Sequence, residues 1–169
     1  RHAIHPQSNA KIEERMTSLA RAGRDWQPHE LVFATHTLRY NRMHWVSIEG
    51  MEAHWEKAIV RASLDPVHNE VRIFTENVSD LRLHFASGQW PGLAGGTMNI
   101  QVDKAGRGDL NVPGPKSDRS WDVELHKADG IWKLGKRPAG DPNKNLRKRP
   151  GLQGPIQDAF MVSFIFVRP

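Results

Sequence analysis

The chain has 169 residues, 38% hydrophobic and 25% charged, and it contains no cysteine. That length supports one domain burying roughly two-thirds of its unfolded surface, while the missing cysteines exclude disulfides, thiolate metal sites and a cysteine nucleophile. The formal net charge is +5, and no apolar stretch approaches the ~20 residues of a membrane-crossing helix, so no membrane partner is expected.

Residues 8–23 carry the helical pattern. Ile12, Met16, Leu19 and Ala20 recur at helical spacing, Ser8 or Asn9 can cap the start with Glu13 and Glu14 in the first turn, and Gly23 can end it. One stripe of this helix therefore packs against something, which makes it a docking element rather than a chemical one.

After Pro28 the period changes to two. Residues 31–40 alternate, with Val32, Ala34, His36, Leu38 and Tyr40 on one face, and 43–49 follow with Val46 and Ile48 opposite Trp45 and Ser47. Further strands are expected at 58–63, 70–75, 80–85, 97–103, 121–126, 131–134 and 160–167, with Asp129-Gly130 as the clearest hairpin turn. Residues 106–120 and 136–155, rich in Gly, Pro and charge, read as long surface loops. Seven to nine short alternating strands behind one helix predict a mainly β fold, an antiparallel β-sandwich with an N-terminal α-helix. Residues 1–27 form the helix and linker and 28–169 the sandwich. The chain opens on Arg1 and stops just after the apolar run 160–167, so a domain cut from a longer protein is expected.

Few constellations carry chemistry. Nine histidines are present, but only His2 and His5 are closely spaced and no acidic cluster accompanies them, so no metal site and no cofactor are expected. No serine sits in a Gly-x-Ser-x-Gly elbow, and Gly92-Leu93-Ala94-Gly95-Gly96 lacks the Lys-Ser/Thr of a phosphate loop. Asn77-Val78-Ser79 matches a glycosylation sequon. Of six tryptophans, Trp45, Trp121 and Trp132 read as core, whereas Trp90, in a Gly/Pro loop, reads equally as core or as a sugar-stacking platform. The block Arg39, Tyr40, Asn41, Arg42, His44 and Trp45 reads either as a ligand or interdomain contact or as a hydrogen-bonded corner fixing two strands. The basic cluster Lys144, Arg147, Lys148 and Arg149 reads as a solvated loop or a polyanion contact. The remaining charge is dispersed, so nucleic acid is not an expected partner.

The strings LRYNRMHWV (38–46) and GLQGPIQDAF (151–160) resemble the region downstream of the catalytic unit in large bacterial prolyl-oligopeptidase-like α/β-hydrolases, which are serine esterases or peptidases. The similarity spans about residues 8–169. It implies a non-catalytic accessory domain that packs on an upstream hydrolase unit of the same chain and shapes substrate access, in a periplasmic or secreted bacterial protein acting on an ester or amide. In that family the catalytic histidine lies near the end of the hydrolase core, which makes His2 and His5 the candidates for it here. Two rival functions rest on the residues alone. One is a carbohydrate-binding module using exposed Trp90 and the 39–45 block; the other is a polyanion-binding domain using the basic cluster.

Overall fold

The computed structural model describes residues 5–23, 25–103, 109–139, 148, 150 and 151. Among them are one helix, α1 (Pro6–Ala22), and ten strands. The strands are β1 (Glu30–Thr35), β2 (Arg42–Met43), β3 (Val46–Gly50), β4 (Ala58–Asp65), β5 (Glu70–Glu76), β6 (Asp80–Phe85), β7 (Thr97–Val102), β8 (Leu110–Pro113), β9 (Trp121–Ala128) and β10 (Ile131–Leu134). They form two five-stranded sheets: a first sheet in the order β1-β4-β5-β7-β8 and a second in the order β10-β9-β6-β3-β2. The fold is mainly β and sandwich-like, as the alternation predicts, with more strands than the expected seven to nine.

Alternation decides which face of each strand turns inward. Val71, Ile73 and Thr75 of β5 are buried between exposed or half-buried neighbours, and Leu81, Leu83 and Phe85 of β6 do the same from the other sheet. Both inner faces join one hydrophobic cluster, which includes Val60, Val71, Met98 and Ile100 from the first sheet and Val46, Ile48, Leu83 and Leu125 from the second. Fully burying such side chains stabilises by about 1.5–3 kcal/mol each. At one end the cluster is aromatic. Trp45 stacks on Phe85 at 5.4 Å, Trp90 meets Phe85 edge-on at 5.1 Å, and Trp121 meets Trp90 at 5.2 Å.

The structure corrects several sequence-based boundaries. The strand expected over 31–40 stops at Thr35, because Thr35 Oγ1 donates to the Thr37 carbonyl at 2.8 Å and turns the chain into a short 3-10 turn, Leu38–Tyr40. Its inward face carries Leu31 and Phe33, and Leu38 is buried by the turn rather than by strand alternation. The stretch 43–49 divides into β2 and β3, with Val46, Ser47 and Ile48 all buried. The loop expected over 106–120 contains β8, whose Val112 packs into the core. One pairing, β5 with β7, is parallel, since β6 leaves for the other sheet between them; all the others are antiparallel. The strand expected at 160–167 and most of the loop expected over 136–155 lie outside the described residues.

Helix α1 begins earlier than its cap signals suggest. Pro6 occupies its first turn, where a missing N–H leaves no intrahelical bond unmade, and His5 is the N-cap. Ser8 and Asn9 therefore lie inside the helix, where Asn9 Nδ2 donates to Glu13 Oε1 at 3.2 Å, and Glu13 and Glu14 fall beyond the first turn. Gly23 ends the helix as expected, at φ +72° with its N–H on the Leu19 carbonyl at 3.0 Å. None of the helix's residues is buried.

Candidate functional site

The polar-aromatic block after β1 folds into a corner. The Ile48 N–H donates to the Asn41 carbonyl at 2.7 Å, and Asn41 Nδ2 returns a bond to the Ile48 carbonyl at 3.0 Å. Arg42 Nε donates to the His44 carbonyl at 3.2 Å, and His44 turns the β2–β3 hairpin at φ +49°. Trp45 is buried, with its indole N–H donating to the Pro28 carbonyl at 2.9 Å. Arg39, Tyr40 and Arg42 are exposed, and the Arg39 guanidinium lies 5.7 Å from the Tyr40 ring centroid. The Asn41, Arg42 and Trp45 side chains thus bond backbone while His44 forms the turn, and the block has the geometry of a strand-fixing corner.

Trp90 is fully buried at 0% exposure, so it offers no face on which a sugar could stack. Its indole N–H is enclosed without a hydrogen-bond partner among the described residues. Trp121 and Trp132 are core, as expected, with their N–H groups on the Pro113 carbonyl at 2.9 Å and on Asp103 Oδ2 at 2.8 Å. The sequon is not a free acceptor. Asn77 Oδ1 accepts the Ala53 N–H at 2.6 Å and its amide donates to the Ala53 carbonyl at 2.8 Å.

His5 sits exposed at the start of α1, while His2 lies outside the described residues. Of the basic cluster, Lys148 is described, its ammonium 4.8 Å from the Trp55 ring centroid; Lys144, Arg147 and Arg149 lie outside the described residues. Among the described residues no group of three or more His, Asp or Glu is placed to hold a metal ion, and no helix is long and apolar enough to cross a membrane.

Two surfaces missed by motif reading emerge from strand register. On the outer face of the second sheet, pairing sets Arg82 and His84 of β6 beside Asp122 of β9. Arg82 Nε donates to Asp122 Oδ1 at 2.9 Å, and His84 Nδ1 lies 2.9 Å from Oδ2. The Arg82 hydrogen bonds, with a smaller contribution from His84, hold the Asp122 carboxyl below its ordinary value. Glu49 of β3 moves the other way: burial raises its pKa, Arg82 opposes the rise, and Glu124 adds to it. Beside it, Arg137 Nε donates to Asp80 Oδ1 at 2.9 Å and Nη2 to the Ser79 and Lys127 carbonyls, clamping the chain after β10. Among the described residues no hydroxyl hydrogen-bonds His84, so its pairing with Asp122 does not extend to a nucleophile. This face is ion-paired within itself.

The outer face of the first sheet differs. Register aligns Glu30, Ser63, Arg72 and Gln101 in one row across β1, β4, β5 and β7, and Val32, Arg61 and Phe74 in the next. Together they line an open trough of about 690 Å³. Its floor is partly apolar and solvent-exposed, Val32 at 64% and Phe74 at 43%. A second hollow of about 320 Å³ shares Glu30, Ser63 and Arg72 and continues the trough to the turn before β5. Sequence periodicity shows which residues leave the core but not which strands become neighbours, and these rows exist only through pairing. Comparison with protein-family models, curated protein sequences and solved structures finds no match.

Proposed function

We propose that this chain is a non-catalytic β-sandwich domain of an α/β-type serine hydrolase, packing on the catalytic unit and shaping substrate access. The observation that carries this reading is α1: Ile12, Met16 and Leu19 form a stripe along it, 45%, 64% and 61% exposed, and the helix buries nothing. Most helical stability in proteins comes from packing an amphipathic face rather than from propensity, so such an exposed stripe supports a covering surface outside the sandwich. The strings at 38–46 and 151–160, which resemble the region following the catalytic unit in prolyl-oligopeptidase-like hydrolases, support reading that partner as the hydrolase unit. The chemistry of the partner would be acyl transfer, a serine attacking an ester or amide carbonyl with a histidine as general base.

The test uses a double substitution, Met16→Glu with Leu19→Glu, in the longer hydrolase chain this reading requires. The expected result is at least a tenfold fall in esterase kcat/KM and a new protease-sensitive site at 23–29, with the melting of the sandwich unchanged. Unchanged activity and unchanged proteolysis would reject the reading. So would turnover of a nitrophenyl ester by residues 1–169 alone that a substitution within them abolishes.

A further inference from the structure

We propose that residues 160–167 of this chain pair with the open edge of β1, as an antiparallel sixth strand of the first sheet. β1 stands at one end of the order β1-β4-β5-β7-β8, with β4 on one side only. The His29 carbonyl accepts the Leu64 N–H at 2.7 Å. Along the register that continues from Glu30↔Ser63 to Thr35↔Ala58, the odd-numbered residues of β1 therefore turn their backbone groups to β4. The N–H and C=O groups of Glu30, Val32 and Ala34 point the other way, and among the described residues no strand pairs with them there. All three residues are exposed. Native sheets blunt such an edge with Lys, Pro, a bulge or a short strand. Glu30–Thr35 contains neither Lys nor Pro, its register with β4 is unbroken, and it is longer than the other edge strands, β8, β10 and β2.

The faces of the edge and the place where the chain arrives select the occupant. A strand added beside β1 meets the core margin at Leu31 and Phe33 on one face and exposed Val32 on the other, so it needs apolar residues on both. Residues 160–167 supply them. Phe160, Val162, Phe164 and Phe166 alternate with Met161, Ser163, Ile165 and Val167, without a charge and rich in aromatic and β-branched side chains. Extended, this segment spans about 26 Å, enough to cover the ~20 Å of β1. The Lys148 ammonium lies 4.8 Å from the Trp55 ring centroid, and Trp55 stands shortly before Ala58, the partner of Thr35. The chain thus arrives at the Thr35 end of β1. Residues 152–159 can reach up to about 28 Å, enough to bring Phe160 to that end. A segment that enters there and runs toward Glu30 is antiparallel to β1, like every pairing of the first sheet except β5 with β7.

This inference stands apart from the hydrolase reading and survives its failure. Amide hydrogen exchange on the full 169-residue chain tests it residue by residue. The Val32 and Ala34 N–H groups are expected to exchange about a hundredfold more slowly than free amides. The double variant Phe164→Pro with Ile165→Pro removes a ladder donor on either side of the added strand. It should return Val32 and Ala34 to fast exchange while Leu31 and Phe33, bonded to β4, stay within about twofold of the parent. Near-ultraviolet circular dichroism of the Trp45–Phe85–Trp90 cluster certifies that the variant is folded. Fast exchange of Val32 and Ala34 in the parent chain overturns the proposal. Protection that the two prolines leave in place also overturns it, because another segment then covers the edge. Protection that grows with protein concentration does the same, because a second copy of the chain then occupies β1.

Discussion

The Asp103 carboxylate joins the two sheets through Trp132. Asp103 follows β7 at φ +63°; its Oδ1 accepts the Thr75 N–H at 2.6 Å and the Thr75 hydroxyl at 2.9 Å, while Oδ2 accepts the Trp132 indole N–H at 2.8 Å. Thr75 belongs to the first sheet and Trp132 to the second. Lys127 completes the arrangement, 3.8 Å from Oδ2 and 5.2 Å from the Trp132 ring centroid. Asp103→Asn turns one acceptor oxygen into a donor amide facing donors. It should cost about 2 kcal/mol, or about 4–8 °C in Tm for a domain of this size, measured by thermal unfolding at pH 7.

Asn77 is a second tie between distant segments. Its positive φ of 54° suits asparagine better than most residues, and its amide satisfies both backbone groups of Ala53. Asn77→Ala should therefore destabilise by about 1–3 kcal/mol, read from the urea midpoint at unchanged m-value.

Two carboxylates give opposite pH signatures. Asp122 has its folded pKa lowered by Arg82, so its contribution is present above the ordinary aspartate value of about 3.9 and is lost as pH falls through the folded value. Asp122→Asn should make the acid limb of a Tm–pH curve shallower below about pH 4. Glu49 has its pKa raised by burial, so the folded state binds the proton more tightly and stability declines as pH rises from the ordinary 4.5 through the folded value. Glu49→Gln should raise Tm at pH 7 by about 1–2 °C and have little effect at pH 4. A fall in Tm at pH 7 would contradict the sign derived from burial.

Removing α1 should leave the sandwich intact. No residue of the helix is buried, so a chain starting at Asp25 should melt within about 1 °C of the parent. A loss of several degrees would show that the helix packs on the sandwich in solution.

Most of the architecture was legible in the alternation. Strands β5, β6, β7, β9 and β10 and the Asp129-Gly130 turn, at φ +54° and +74°, follow from period-two patterning and turn chemistry. Strand β8 escaped because Gly106 and Gly108 before it and Gly114 and Pro115 after it outweighed its four residues. The break after Thr35 escaped because it depends on a threonine hydroxyl bonding its own backbone, which periodicity does not register. Trp90 stood equally for core and for a platform because a Gly/Pro loop says nothing of where the chain folds back; packing against Phe85 and Trp121 decides it. The trough was invisible for a different reason. Val32, Arg61 and Phe74 are 29 and 13 residues apart in sequence and become neighbours only through the pairing of three strands.

The order in which strands enter the sheets has a consequence for how the molecule comes into being. The chain passes from one sheet to the other five times between β1 and β10, and β5 and β7 become parallel neighbours only after β6 has been placed opposite them. Neither sheet can be assembled from a contiguous stretch of chain. Each crossing closes a loop whose entropy cost comes before the non-local contacts that offset it. All five described strands of the first sheet precede β9, so a chain emerging from the ribosome carries every one of them while the second sheet still lacks β9 and β10.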